Sequence, residues 1–121
     1  GARTSIQDGT VIHCIPTRRT FVGDGCVVGH IVHLEGCTIE DDALVGNGAV
    51  VLHDAIVRAG AIVGSNAVVP NRMEVPGGMM ALGIPAKTRP ATEGGVRAMR
   101  MAADDYVARG HRYAAELRRL D

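Results

Sequence analysis

The sequence predicts an all-β fold, a parallel β-helix of stacked triangular coils, followed by one C-terminal α-helix. Three observations support this prediction. Aliphatic residues recur every six positions from Ile6 to Met80, and after about Gly95 the apolar spacing becomes that of a helix. The 121 residues include no Trp, one Phe and two Tyr, so β-branched and small side chains must fill the core.

The period of six defines the first and larger part of the chain. From Val22 it runs VGDGCV, VGHIVH, the five-residue LEGCT, IEDDAL, VGNGAV, VLHDAI, VRAGAI and VGSNAV. Helices repeat at 3.6 residues and strands at 2.0, so neither alone produces this period. Short strands joined by turns do, and three of them form one coil, with coils stacking at about 4.8 Å. Small residues at the fifth position let the chain turn close to the core: Cys26, Ala43, Ala49, Ala55, Ala61 and Ala67.

This pattern resembles the hexapeptide repeat of left-handed parallel β-helix proteins, and a small sandwich is the alternative that alternation alone allows. We expect a left-handed β-helix over residues 1–80, incomplete at its N-terminus, with residues 17–20 as a short protruding loop. Residues 81–94 are predicted to connect it to the helix, since the paired prolines of ALGIPAKTRP should end the regular structure.

A C-terminal helix packed on the β-helix is predicted over residues 95–121, with Gly110 as a potential interruption. Its polar face carries both charge signs, which favours packing on protein over binding to a membrane. Its apolar residues fall near one side: Val96, Met99, Ala103, Tyr106, Val107, Tyr113, Leu117 and Leu120.

Composition narrows the function. Thirteen acidic and thirteen basic residues give a formal net charge of zero, so nothing in the charge suggests a nucleic-acid partner. No apolar run approaches the ~20 residues needed to cross a bilayer. The three cysteines, Cys14, Cys26 and Cys37, form an odd set without CxxC spacing, which predicts reduced thiols in a cytoplasmic protein.

The period also locates the reactive residues. His13 follows Ile12 and Glu35 follows Leu34, so they occupy equivalent outward positions on adjacent coils once the loop at 17–20 is treated as an insertion. His30 is the third residue of a hexad on another face. A single narrow prism does not easily bring it to the other two. It can meet them if a second subunit packs alongside, and three-fold symmetry would then create three equivalent sites.

The segments SIQDGTVIH, GHIVHLEGC and ALGIPAK together resemble the γ-class carbonic anhydrase family, over about residues 5–87. The resemblance implies a homotrimer with zinc, or sometimes iron or cobalt, between subunits, and a lyase reaction in which metal-bound hydroxide converts CO2 to bicarbonate. Carried over by position, it implies His13 and His30 as metal ligands, with the third ligand position falling on Glu35. Gln7 matches the family's active-site glutamine, and Asp8 matches a structural aspartate.

The glutamate departs from the family pattern. Two histidines and one glutamate form a known zinc ligand set, so Glu35 is either a ligand or a solvated side chain at a vacated site. As a ligand, an anionic carboxylate makes the metal a weaker Lewis acid than imidazole does, so hydration of CO2 should be slow or absent near neutral pH.

Other polar residues keep open interpretations. Gln7 either orients water at the metal or caps a turn. Asp8 is expected to contact the His30 ring and hold it in place without itself binding the metal. His33 lies two positions before the motif position and is interpreted as a bystander that a local shift could recruit. Cys14 is an alternative soft ligand. The residues expected to be structural are His53 and His111.

The same repeat occurs in proteins with other functions, so the fold does not decide the activity. An acyl-CoA thioesterase or acyltransferase of the hexapeptide-repeat superfamily is one alternative. A non-catalytic trimeric scaffold is another.

Overall fold

The structure, a computed structural model, describes residues 1–119, which form fourteen short strands and one helix. The strands of the first two coils are β1 (Ser5–Ile6), β2 (Val11–His13), β3 (Phe21–Val22), β4 (Val27–Val28), β5 (His33–Glu35) and β6 (Thr38–Ile39). Those that follow are β7 (Leu44–Val45), β8 (Val50–Val51), β9 (Ile56–Val57), β10 (Ile62–Val63), β11 (Val68–Val69), β12 (Glu74–Val75), β13 (Met79–Leu82) and β14 (Lys87–Pro90). The helix is α1 (Glu93–Glu116).

The strands form three sheets, one on each face of a triangular prism. The first face carries β1, β4, β7, β10, β13 and β14 in that order, the second carries β2, β5, β8 and β11, and the third carries β3, β6, β9 and β12. Strands of neighbouring coils pair in parallel, as they must when each strand pairs with its counterpart one coil away. The left-handed parallel β-helix of about four coils with one C-terminal helix is therefore confirmed.

The register departs from a strict eighteen-residue coil at two places. Paired residues on the first face are Ser5 with Val27, Val27 with Leu44, Leu44 with Ile62, and Ile62 with Met80, which are 22, 17, 18 and 18 positions apart. The long spacing contains the loop at 17–20, and the short one contains the five-residue hexad. Both irregularities were predicted, and both lie beside the reactive residues.

The core is a stack of aliphatic residues. Each inward first position of the second and later coils is at most 1% exposed, from Val28 to Val75. Ile6 and Ile12, which lie on the first coil that the structure describes, are more exposed, at 48% and 45%. Cys26 and Cys37 are buried beside this core, and burial raises the pKa of Cys26 and raises that of Cys37 to about 11. Both groups therefore remain neutral thiols.

The segment after the last coil contains more regular structure than expected. Strand β14 pairs antiparallel with β13, with Met80 opposite Arg89 and Leu82 opposite Lys87. The two prolines do not prevent this pairing, because Pro85 lies in the turn and Pro90 ends an edge strand, where a missing N–H costs no ladder bond.

The helix begins at Glu93, two residues before the predicted start, and continues through Gly110. Thr92 is its N-cap, and the Thr92 hydroxyl accepts a hydrogen bond from the Gly95 N–H at 3.1 Å. Helix α1 lies against β1 and β4, and Met99 is its one buried residue. Helix α1, the one helix among the described residues, is not long and apolar enough to span a membrane.

The apolar stripe of the helix is only partly covered. Met99 is 4% exposed, whereas Tyr113 is 46% and Leu117 is 72% exposed. Leu120, which was also assigned to the stripe, lies outside the described residues. The stripe therefore anchors the first turns of the helix to the β-helix more firmly than its C-terminal end.

An ion-pair network crosses the third face. Arg58 donates to both oxygens of Glu74, at 2.9 and 3.0 Å, and to Glu40 Oε1 at 2.8 Å. The other Glu40 oxygen accepts the Ala59 N–H at 3.0 Å. Hydrogen bonds from Arg58 lower the pKa of both carboxyls below the usual 4.5.

Leu34→Ala is expected to destabilise the protein by about 2–5 kcal/mol, since Leu34 is fully buried and its removal leaves a cavity in the core. Urea unfolding followed by circular dichroism measures the change. Met101→Ala is the control, because Met101 is 60% exposed on the helix. A Leu34→Ala protein as stable as this control would contradict the packing described.

Arg58→Met is expected to lower the melting temperature at pH 7, and this deficit should shrink as the pH falls. The sign follows from the lowered pKa values of Glu40 and Glu74: their stabilisation is present above the unfolded pKa and is lost as pH falls through the folded one. Thermal unfolding between pH 7 and pH 3 tests this. A deficit of constant size would contradict it, and Arg97→Met, outside the network, is the control.

Candidate functional site

His13 and Glu35 lie side by side on the second face. They are direct register partners in the pairing of β2 with β5, as predicted from the hexad positions. His13 is exposed and Glu35 is half-buried. Thr20 ties the two strands together, because its hydroxyl donates to the His13 carbonyl at 2.7 Å and accepts the Gly36 N–H at 2.9 Å.

His30 lies at the turn after β4, away from that pair, and its backbone is held firmly. The His30 N–H donates to Asn47 Oδ1 at 2.9 Å, and its carbonyl accepts the Gly48 N–H at 2.8 Å. The Asn47 side chain can approach because the residue before His30 is Gly29. A Cβ at position 29 would collide with the amide oxygen of Asn47. The imidazole, about half exposed, is therefore presented to the outside from a fixed turn.

Asp8 and Gln7 lie on the coil next to His30. Asp8 Oδ2 is 3.7 Å from His30 Nδ1, so the expected stacking of these two residues is found. Nε2 is the ring nitrogen left free for a ligand. Gln7 is half-buried, and its backbone N–H donates to the Val28 carbonyl at 3.0 Å, which places the Gln7 backbone beside the same turn.

A groove of about 660 Å³ separates this first-coil edge from the C-terminal helix. Gln7, Asp8 and His30 line one wall, and Tyr106 and His111 are among the helix residues that line the other. His111 was expected to be structural, yet it shares a groove with a candidate ligand. The helical period predicts which side of a helix is apolar but not which strand edge that helix will cross.

Glu35 has two further neighbours that the sequence did not predict. Glu35 Oε2 is 3.5 Å from His33 Nε2, and Oε1 is 3.7 Å from His53 Nε2. His53, which was expected to be structural, and His33, which was interpreted as a bystander of the metal position, therefore both lie beside Glu35, and the role of His33 stays a prediction. His53 was overlooked because it lies in a turn, one residue past the position that stacks on Glu35.

The candidate ligands do not converge within the part of the chain that the structure describes. Among residues 1–119, no group of three His, Cys, Asp or Glu side chains is arranged to hold a metal ion. His13 and Glu35 are on one face and His30 is on another, so the three would meet only across a subunit boundary. Their chemistry suits zinc, which binds imidazole nitrogen and carboxylate oxygen at similar distances. The residues thus fit a metal as a shared set.

Comparisons with known proteins support the fold and identify relatives of the chain. Residues 36–71 match the family model for the bacterial transferase hexapeptide (six repeats). The mitochondrial gamma carbonic anhydrase 2 of Arabidopsis thaliana is 34% identical over 123 residues, covering 96% of this chain. A probable carbonic anhydrase of Methanocaldococcus jannaschii is 46% identical over 108 residues, covering 88% of this chain. The crystal structure of a putative acetyltransferase from Bacillus cereus superposes with a TM-score of 0.90 at 32% identity, covering 95% of this chain and 67% of that one.

The chain is shorter than these relatives. It spans 44% of the Arabidopsis protein and 68% of the Methanocaldococcus protein. The similarity nevertheless covers 96% of this chain in the first case and 88% in the second. On the strength of the hexapeptide coils and of these relatives, the chain belongs to the γ-class carbonic anhydrase-like family of hexapeptide-repeat proteins.

Proposed function

We propose that the chain forms a cytoplasmic homotrimer that binds zinc between subunits and hydrates CO2 to bicarbonate. His13 and Glu35 of one subunit and His30 of the next are the proposed ligands. The observation that carries the proposal is the register of β2 with β5, which sets His13 directly beside Glu35 at the third ligand position of the family. Relatives named as carbonic anhydrases support the activity.

The separation of the ligands supports a site shared between subunits. His30 is on a turn away from the second face, and in the proposal a neighbouring copy supplies it. A cyclic arrangement of three copies gives each subunit one donor edge and one acceptor edge, and it closes without leaving an unmatched site. The rigid backbone of His30, held by Asn47, suits a residue that must reach across an interface.

The neighbouring polar residues have distinct proposed roles. Asp8, near His30 Nδ1, would keep the imidazole oriented with Nε2 outward. Gln7, half-buried in the same groove, would hold the attacking water in line with CO2. The metal would supply water of lowered pKa, so that hydroxide is available near neutral pH; iron or cobalt can replace zinc in this role.

Glu35 sets the rate in this proposal. Its carboxylate donates more charge than a neutral imidazole, so water at the site is less acidic than with three histidines. Each unit by which that pKa exceeds the working pH lowers the hydroxide fraction about tenfold. The protein is therefore proposed to be a weak carbonic anhydrase at pH 7.

An acyl-group enzyme is the second candidate. The observation that favours it is the 0.90 TM-score with the putative acetyltransferase from Bacillus cereus, which is 32% identical. Measuring hydrolysis of acetyl-CoA alongside CO2 hydration separates the two. Hydrolysis that persists in His13→Ala would favour the acyl-group enzyme.

Protein purified without chelator is expected to contain about one metal ion per subunit, and His13→Ala or His30→Ala should each abolish this content. Elemental analysis together with light scattering measures metal and oligomeric state. Arg97→Ala, at an exposed helix residue outside the groove beside His30, should retain the metal. A stable wild-type trimer without metal would contradict the proposal and favour a non-catalytic scaffold.

Glu35→His is expected to increase CO2 hydration at pH 7 by about tenfold for each unit by which the pKa of water at the site falls. Stopped-flow hydration assays on metal-loaded protein measure this. Glu35→Gln is the matched control, since it keeps the size but lacks the charge, and it should bind metal poorly. Equal or slower hydration by metal-loaded Glu35→His would contradict the proposed effect of Glu35.

A further inference from the structure

The Glu35 carboxylate lies between two imidazoles of its own chain. His33 Nε2 approaches one oxygen at 3.5 Å and His53 Nε2 approaches the other at 3.7 Å. Within residues 1–119, these are the histidines that come within 4 Å of the carboxylate, and His13 is not among them. The side chains of Glu35 and His53 are 26% and 23% exposed, so both are largely removed from water.

His53 reaches Glu35 because the hexad that carries Glu35, residues 34–38, has five residues instead of six. Gly36 and Asp54 both have positive φ, 55° and 59°, which makes them equivalent turn positions on adjacent coils. Leu34 pairs with Val51 before these turns. His53 is then the residue with no counterpart on the coil that carries Glu35, and its ring occupies the space that the missing residue leaves.

The space is closely fitted around the His53 ring. A Cβ on Gly36 would lie 3.0 Å from His53 Cδ2 and 2.9 Å from Arg18 Cβ. Arg18 Nε donates to Oδ2 of Asp54, the residue after His53, at 3.1 Å. The His53 ring therefore lies in a notch beside Gly36 that a side chain at position 36 would enter.

His33 differs from His53 in this respect. Its side chain is 39% exposed and belongs to the same strand as Glu35, so it can turn away into solvent. The oxygen that it contacts, Oε2, is therefore the one available to a metal, while Oε1 remains with His53.

We propose that His53 is a positioning residue for Glu35: its Nε2–H donates to Oε1 and fixes the carboxylate so that Oε2 is presented to the metal. The observed 3.7 Å separation is longer than a hydrogen bond, so the proposal requires the carboxylate and the ring to move closer when the metal binds. Metal ligands are commonly held in this way by a hydrogen bond from a second residue. The inference rests on the proposed metal site, because it specifies how one of its ligands is oriented.

The test loads metal-free protein with Co²⁺ and records the dissociation constant and the visible spectrum. His53→Leu, which fills the notch without a donor, is expected to bind cobalt about 10–100-fold more weakly and with shifted bands. His53→Gln places an amide N–H near the position of Nε2 and should restore both within a few-fold. Arg97→Leu, at an exposed helix residue outside the groove beside His30, should bind cobalt like the wild type.

A second measurement, made on metal-free protein by NMR, tests the inference even if His53→Leu does not fold. The ring nitrogen resonances of His53 in ¹⁵N-labelled protein should shift in Glu35→Gln, while those of His111 should not. Unchanged His53 resonances would overturn the inference whatever the metal result.

The outcomes distinguish the inference from the proposed function. If the wild type binds cobalt and His53→Leu binds it with the same affinity and spectrum, the positioning role is overturned and the proposed metal site stands. If the wild type takes up no cobalt, the proposed function and the positioning role both fail, even where the resonances of His53 respond to Glu35.

Discussion

Parallel backbone hydrogen bonding of each coil to the next is the constraint on which the rest of the structure depends. It sets residues of equivalent hexad position directly over one another, so inward residues form continuous stacks that exclude water. The same rule acts on outward positions. It pairs His13 with Glu35 on the second face and brings Glu40 beside Arg58 on the third. Reactive and purely structural pairs thus arise from one geometric cause.

The candidate site lies where this regularity is interrupted. The loop at 17–20 lengthens one coil, and Thr20 at its end bonds both the His13 carbonyl and the Gly36 N–H. The short hexad shortens the next coil and opens the notch that His53 occupies. A regular stack offers identical turns on every coil, so an insertion and a deletion on adjacent coils give this corner a shape found nowhere else on its face.

The narrow prism also explains why the proposed site must be shared. Each face carries few outward side chains per coil, and neighbouring faces diverge from one another. His30 is fixed by Asn47 on one turn, while His13 and Glu35 stand on a different face. In the proposed trimer, symmetry between copies would bring these donors together, as loops do in larger folds. Asp8 and the helix-lined groove beside His30 then belong to the same region as the proposed metal.

The sequence by itself determined the coil register, the aliphatic stack and the pairing of His13 with Glu35, because a period of six leaves one way to superpose the coils. It also located the two irregular hexads. Only the tertiary structure decided that His53 and His33 flank Glu35, that His111 borders the His30 groove and that β14 adds an antiparallel strand. Those contacts involve turns, a helix and an edge, where the period no longer dictates which side chains meet. For His53 the deciding factor was the space left by one absent residue, and only packing in three dimensions determines which side chain fills such a space.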